Sequence, residues 1–492
     1  MDHPRPAFQN LDISFIDGLP DDIFLLIFLE LSQKAPPWLM GIVCRRWRSI
    51  VLSCSQLWST IIVTDRDSLL RNKWAIHKFC QRLEAQLDRA ASGVLEGTID
   101  VYHLEEEYSG VPASKLEMRA TLLRIISQIH RFSSLHLNGN CLELDLLPSI
   151  PPTFSHLQDL SVFHPSWFDT GFLRNTPILR HFRTNGVPMA ALHALHWTYL
   201  SVINIEDSSA HLTALLDAFR AANNVTTLCM ELIERDDPGV EIPHTTSVQL
   251  AKLHKMELAF YGWSPSDSCV LPHLLGYIRT PHLQELDIND CSGDVFHVVQ
   301  LFLFSSRCTP MLTRLHIQTM FLDQQHTKIL ADLLPDLLSL KSLSVGSSLS
   351  SSDDEEDELV DIDAIVDVLN EPKHGSQSQS SIICPLLEEM EFTQVAVSFR
   401  AISQLLETRS PAFIGVSQAT RDTLTDIQAD HPPDPVLTSL RMIATSFTDS
   451  VVPWEQKQQW SLSTGIRGLT EQELIRYIQK KNDDSEGQCA PE

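Results

Sequence analysis

One frame recurs down this chain and limits what it can fold into: Pro-x-Leu-x-x-apolar-x-apolar. It is complete at Pro281-x-Leu283-x-x-Leu286-x-Ile288, Pro310-x-Leu312-x-x-Leu315-x-Ile317, Pro385-x-Leu387-x-x-Met390-x-Phe392 and Pro435-x-Leu437-x-x-Leu440-x-Met442, and partial at Pro177-x-Leu179-x-x-Phe182. In a chain with 27 prolines, chance placement yields fewer than one complete match. Without the proline, the frame also fits Phe132–Leu137, Leu157–Val162, Leu200–Ile205, Val225–Met230, Leu253–Leu258 and Leu340–Val345. From Met256 to Leu343, successive centres lie 30, 29 and 28 residues apart. Alternating apolar positions predict strands with one buried face. Leu116–Arg131, His211–Ala222, Val295–Phe304 and His326–Leu334 read as the helices between them. Each strand–helix unit then carries an apolar flank that only a neighbouring unit can cover, so the units must stack. The leading proline ends the preceding helix and sets φ just before the strand.

The beginning of the chain is different. Pro20 and the acids Asp21 and Asp22 predict a helix start. From Ile23 to Leu31 every residue but Glu30 is apolar. A helix apolar nearly all round needs cover on most sides, and a segment of about forty residues is too small to supply it alone. The rest of the chain, a partner, or both must provide it. After a Pro36-Pro37 break, Leu39, Val43, Trp47 and Ile50 or Val51 form the stripe of a second helix, with Arg45, Arg46 and Arg48 on its solvent face.

Leu19, Pro20, Ile23, Ile27, Phe28, Leu31, Leu39, Val43, Cys44, Trp47, Leu57 and Trp58 together resemble the F-box pattern. That resemblance covers about a tenth of the chain. It implies docking on the Skp-type adaptor of an SCF (Skp–cullin–F-box) ubiquitin ligase, and through it on a cullin. The contacts it implies are Leu19, Pro20, Ile23, Ile27, Phe28, Leu31, Val43, Cys44 and Trp47. The alternative is a helical hairpin packed on its own domain. The downstream units resemble leucine-rich repeats, which place Asn or Cys three residues past the last apolar strand position; only Asn140 and Cys291 do so, so the array is expected to be irregular. The combination, with Leu87-Asp-Arg-Ala90 before a Val94–Val101 strand, resembles fungal F-box proteins.

The expected fold class is therefore α/β, a small N-terminal helical F-box-like module followed by an irregular leucine-rich-repeat solenoid. The expected organisation is a flexible 1–12, the F-box-like module at 13–62, a helical linker at 63–93, the repeats at 94–468, a C-terminal helix at 469–482 and a disordered tail at 483–492. Residues 347–381, with serines, six consecutive acids at Asp353–Glu358 and a Gly/Ser/Gln run, read as a disordered insertion. Leu469-Thr470-x-x-Glu473-Leu474 reads as a capping box with its hydrophobic staple.

Net charge is −26, and residues 1–90 are near neutral, with eleven Lys/Arg against ten Asp/Glu. The acidity downstream disfavours nucleic acid and anionic membrane surfaces and favours basic protein partners. No apolar run is long enough to span a bilayer, the first residues lack a signal-peptide core, and ten scattered cysteines contain no C-x-x-C pair. A cytoplasmic or nuclear protein is expected, with no cofactor and no metal.

Catalytic motifs for phosphate, dinucleotide, nucleophile-elbow or zinc chemistry are missing, so no enzyme is expected. His193 and His196 share a helical face but have no companion ligands, and Asp361 and Asp363 read as solvated charge. Binding is the better expectation. Outward strand positions are almost all polar, and Lys255, Glu257, Glu285, Asp287, Arg314 and His316 form the expected substrate-contact set. Glu257, Glu285 and Asp287 would favour a basic patch on the substrate. The expected function is a substrate-recognition adaptor, with a non-degradative leucine-rich-repeat interaction scaffold as the alternative.

Overall fold

The computed structural model describes residues 18–32, 35–64, 73–100, 112–138, 154–163, 173–186, 192–210, 212–235, 247–260, 270–290, 295–319, 322–347, 360–370, 372–373, 381–393, 395–398, 401, 404–405, 439–443 and 446–447. The chain is mixed α/β, with parallel strands in each of two compact units. The first unit takes residues 1–187 and 194–199, the second residues 188–193 and 200–492.

In the first unit, three short helices open the fold: α1 (Asp21–Ser32), α2 (Pro37–Gly41) and α3 (Arg45–Ser53). A 3-10 turn at Ser55–Trp58 leads to β1 (Thr60–Thr64), then α4 (Lys73–Arg89), β2 (Leu95–Asp100), α5 (Pro112–Ser127), β3 (Phe132–Asn138), β4 (Asp159–Phe163) and β5 (His181–Asn185). The five strands pair in parallel in chain order. Strand β1 lies in a stretch that reads as helical module and linker. Its Ile61 and Val63 are fully buried, and that short β-branched run is long enough for a strand but not for a helix.

The second unit repeats one theme. Its strands are β6 (Val202–Ala210), β7 (Thr227–Arg235), β8 (Lys255–Phe260), β9 (Glu285–Asp290), β10 (Arg314–Thr319), β11 (Ser342–Ser347), β12 (Glu389–Thr393) and β13 (Ser439–Ile443), again parallel and in chain order. Helices α6 (Leu212–Ala221), α7 (Val270–Tyr277), α8 (Val295–Ser306), α9 (Gln324–Leu333) and α10 (Asp363–Asn370) alternate with them. Successive helices touch from α6 to α10.

Register explains why these residues take these places. Leu228, Met256, Leu286, Leu315, Leu343 and Met390 are laterally paired and at most 1% exposed; Met230, Leu258, Ile288, Ile317, Val345 and Phe392 form the next buried row. Helix α6 buries Leu212, Leu215, Leu216 and Phe219, the spacing of one helical face. The Asp323 carboxylate accepts from the His326 amide, while His326 Nδ1 accepts from the Asp323 amide, capping α9 reciprocally. Pro310 sits in the 3-10 turn between α8 and β10, where its missing N–H leaves no ladder bond unmade.

The expected disordered insertion is corrected in part. Within 347–381, residues 363–370 form α10, because Ile365, Val366 and Leu369 fall on one face and are buried. Asp353–Glu358, the C-terminal capping box, Asn140, Cys291 and the expected N- and C-terminal tails lie outside the described residues.

Polar residues also occupy inward strand positions, Thr319 in β10 and Thr184 in β5 among them. Thr184 is fully buried in β5 opposite Val162, and its Oγ1 finds no hydrogen-bond partner among the described residues. Thr184→Val keeps the shape and removes an unmet hydroxyl, so it is expected to stabilise the protein by about 1 kcal/mol. A higher urea midpoint at unchanged slope checks this.

Candidate functional site

Two surfaces gather the residues singled out in the sequence. The first is the helical leader. The Ile23 and Phe24 amides bond to the Pro20 carbonyl, which sets the first turn of α1. Arg46 then clamps that turn. Its Nε and Nη2 donate to Asp21 Oδ1 at 2.8 and 2.6 Å, Nη2 also donates to the Leu19 carbonyl, and the guanidinium lies 4.9 Å from the Phe24 ring centroid. Arg46 is thus a structural tie and not a solvent-face residue, which corrects the expectation.

Beneath the clamp, Phe24, Phe28 and Trp47 pack ring against ring, with centroids 4.9–5.9 Å apart. Trp58 Nε1 donates to the Val51 carbonyl at 2.8 Å, and Leu57 and Trp58 are buried. Aromatic bulk fills this small core from inside. Phe28 is 0% exposed, which corrects its expected role as a direct contact, while Trp47 is half-buried. The expected second helix is also corrected. It divides into α2 and α3, since Cys44 adopts an extended N-cap conformation and its Sγ accepts from the Trp47 amide at 3.4 Å. Leu39 and Val43 therefore point out, while Ile50 and Val51 point in.

With these aromatics inside, the leader leaves a set of aliphatic side chains outside. Ile23, Leu26, Ile27 and Leu31 on α1, with Leu39, Ile42 and Val43 on α2 and the loop after it, are 40–69% exposed. Pro20 and Cys44 are exposed beside them and Leu19 is half-buried. Leu26 and Ile42 are missing from the sequence-derived set, although they are the most exposed of the group. Their apolar character and their offset from Phe24 and Phe28 were the available signal.

The second surface is the outward face of the second unit. Register places Lys255, Glu285 and Arg314 side by side, with Glu257, Asp287 and His316 in the next row, so the structure brings all six expected substrate contacts together on β8, β9 and β10. Charges interleave there. Lys255 Nζ lies 2.7 Å from Glu257 Oε1 and 4.0 Å from Glu285, and His316 lies 3.9 Å from Asp287. The hydrogen bond to Glu257 holds Lys255 above its usual range. Burial acts to raise Glu257, but hydrogen bonds from the Cys229 thiol at 2.9 Å and from Lys255 hold it below. Burial pushes Asp287 up; His316 opposes this, and Glu257, directly across on β8, adds to it. A cleft of about 320 Å³ opens beside this row, lined by Glu206, Glu231, Glu257, Asp287, Cys229 and Asn289 among others.

Among the described residues no group of three or more His, Cys, Asp or Glu is placed to hold a metal ion. His193 and His196 sit in a turn, not on a helix face, and His196 Nε2 bonds to the Arg174 carbonyl at 3.0 Å. Asp361 and Asp363 are backbone caps, accepting from the amides of Asp363 and Ser398 at 2.8 and 2.6 Å.

Asp287 carries a burial cost that is largest when ionised, because its folded pKa lies above the unfolded value. Asp287→Asn is therefore expected to stabilise the protein at neutral pH, with the gain vanishing below the ordinary aspartate range. Urea midpoints of both proteins from pH 3 to 8 test the sign. No protein-family model and no curated protein matches the chain.

Proposed function

We propose that this chain is a non-catalytic substrate-recognition adaptor of an SCF-type ubiquitin ligase. The helical leader is an F-box-like module that docks on a Skp-type adaptor and so reaches a cullin. The parallel strand–helix units form a leucine-rich-repeat-like solenoid whose outward face holds the protein substrate. Ubiquitin transfer belongs to other subunits.

The observation that carries this reading is the uncovered apolar face of the leader. Seven large aliphatic residues stand exposed on two short helices and one loop, well beyond the scattered apolar residues of an ordinary surface. Because they are 40–69% exposed, burying what remains of each would contribute about 0.6–2 kcal/mol, a favourable term shared over seven side chains. A hairpin packed on its own domain would have hidden them. The F-box-like residues Leu19, Pro20, Ile23, Ile27, Leu31, Val43 and Cys44 all fall at or beside this face. No helix among the described residues is long and apolar enough to cross a membrane.

The interleaved charges on β8–β10 support a substrate matched in both signs more than a uniformly basic one. The cleft beside them supplies the acidic end of that match.

Co-expression with a Skp-type adaptor tests the reading. The pair should co-purify, and Leu26→Asp or Ile27→Asp should weaken it about tenfold or more while leaving the melting temperature near that of the parent. Phe28→Ala should behave differently, costing about 3–5 kcal/mol of module stability because it empties the core. No capture of the adaptor by the folded parent chain rejects the reading. Capture without ubiquitination of bound proteins in the cullin-containing complex leaves the interaction scaffold.

A further inference from the structure

Charge on α4 is sorted by side. Its acids and His77 turn toward α5, where Arg124 pairs with Asp88 at 2.7 Å and Glu84 at 3.6 Å, and His77 Nδ1 lies 2.5 Å from Glu117 Oε1. Its bases turn the other way. Trp74, Lys78 and Arg82 follow one another at helical spacing, and Arg89 falls on the same side two turns later; all four are exposed. Ile76, Cys80, Leu83 and Leu87 are buried on the opposite face.

Each of the three cations sits on an indole. Lys78 Nζ lies 3.6 Å from the Trp74 centroid, the Arg82 guanidinium 5.7 Å from that of Trp38, and the Arg89 guanidinium 4.5 Å from that of Trp58. Among the described residues none of the three pairs with a carboxylate. Trp74 is 66% exposed, so the stripe also carries one large uncovered ring. Residues 31–90 hold ten Lys/Arg against four Asp/Glu, a local +6 in a chain of net charge −26.

We propose that this stripe of α4 docks a short acidic segment of a partner protein, one whose carboxylates are interspersed with apolar side chains. A ring engages one side of a cation and leaves its other N–H groups open to a carboxylate. Held in this way, Arg82 and Arg89 can each take a carboxylate through two parallel bonds, with less side-chain freedom lost on binding. The exposed indole of Trp74 calls for an apolar side chain between the acids. From Lys78 to Arg89 the helix rises about 16 Å, the span of about five residues of an extended segment.

Charge also favours a protein segment over other polyanions. The rest of the chain carries −32, the total of −26 less the local +6. A nucleic acid or an anionic bilayer extends past the stripe and meets that repulsion. A short segment responds mainly to the stripe, because screening limits reach to about 8 Å at physiological salt. The stripe shares no residue with the aliphatic face of α1 and α2, so it goes beyond the adaptor reading and is tested without the adaptor.

The experiment is fluorescence anisotropy of the full chain with a short labelled peptide in which Glu and Asp pairs alternate with Phe and Leu. Saturable binding is expected, and the same peptide with Gln and Asn in place of its acids should not bind. Lys78→Glu combined with Arg82→Glu should weaken binding tenfold or more, and Trp74→Ala several-fold. Melting temperatures should stay near the parent's, since these side chains are exposed. An equal charge reversal in the second unit, Lys252→Glu with Lys328→Glu, should leave binding unchanged. Four results overturn the proposal: no saturable binding by the folded parent, equal binding of the Gln/Asn peptide, equal weakening by the two reversals, or tighter binding of a single-stranded oligonucleotide or phosphatidylserine vesicles at the same stripe.

Discussion

Lateral pairing of strands in one shared register is the interaction on which each unit depends. A parallel strand bonds its backbone to both neighbours, and the side chains alternate between faces. Because the pairing keeps Leu opposite Met opposite Leu, one buried row runs through β7 to β12 without a polar interruption. A slip of one residue would turn that whole row outward and bring Lys255, Glu257 and their neighbours into the core. The same register that secures the core therefore assembles the outward face. Thr313 Oγ1 and Thr226 Oγ1 reinforce it at the strand entries, each donating to a carbonyl of the preceding unit at 3.0 Å.

The helical leader solves a different problem. It is too small to bury all its apolar side chains, and the aromatic ones win the interior because each removes more surface from water than an aliphatic one. Phe24, Phe28 and Trp58 take the core with Trp47 packed on it, and Ile23, Leu26, Ile27, Leu31 and Leu39 remain outside. Cation–π contacts join the leader to α4 within the same unit, Arg89 lying 4.5 Å from the Trp58 centroid and Arg82 5.7 Å from that of Trp38. Gln86 Nε2 adds a hydrogen bond to the Thr60 carbonyl at 2.5 Å. The exposed face is thus carried on a braced support. For the proposed adaptor function this matters, since a partner bound there is held in a defined position on the first unit.

Charge is organised along the outward rows. On β8–β10 Lys255, Glu285 and Arg314 alternate in sign across strands, while in the next row Glu257 and Asp287 stand side by side as like charges, flanked by Lys255 and His316. On β3–β5 of the first unit a guanidinium and an imidazole, of Arg183 and His136, flank the Phe163 ring.

Much of this was legible in the residues alone. Alternation placed the strands from Phe132 to Met390 within a few residues and assigned their inward and outward positions correctly, since side-chain direction in a strand follows from backbone geometry with a period of two. Helical spacing found α6, α8 and α9 for the same kind of reason. Composition misled at residues 363–370, where the six acids at Asp353–Glu358 and a serine-rich approach outweighed the apolar face of α10. Spacing also could not separate Phe28 from Ile27, which are adjacent and equally apolar; which one enters the core depends on where Trp47 arrives from α3. Local sequence determined element type and facing, because these are properties of a single backbone segment. Only the tertiary structure decided which apolar residues stay uncovered and which distant charges meet, because both depend on the packing of segments far apart in the chain.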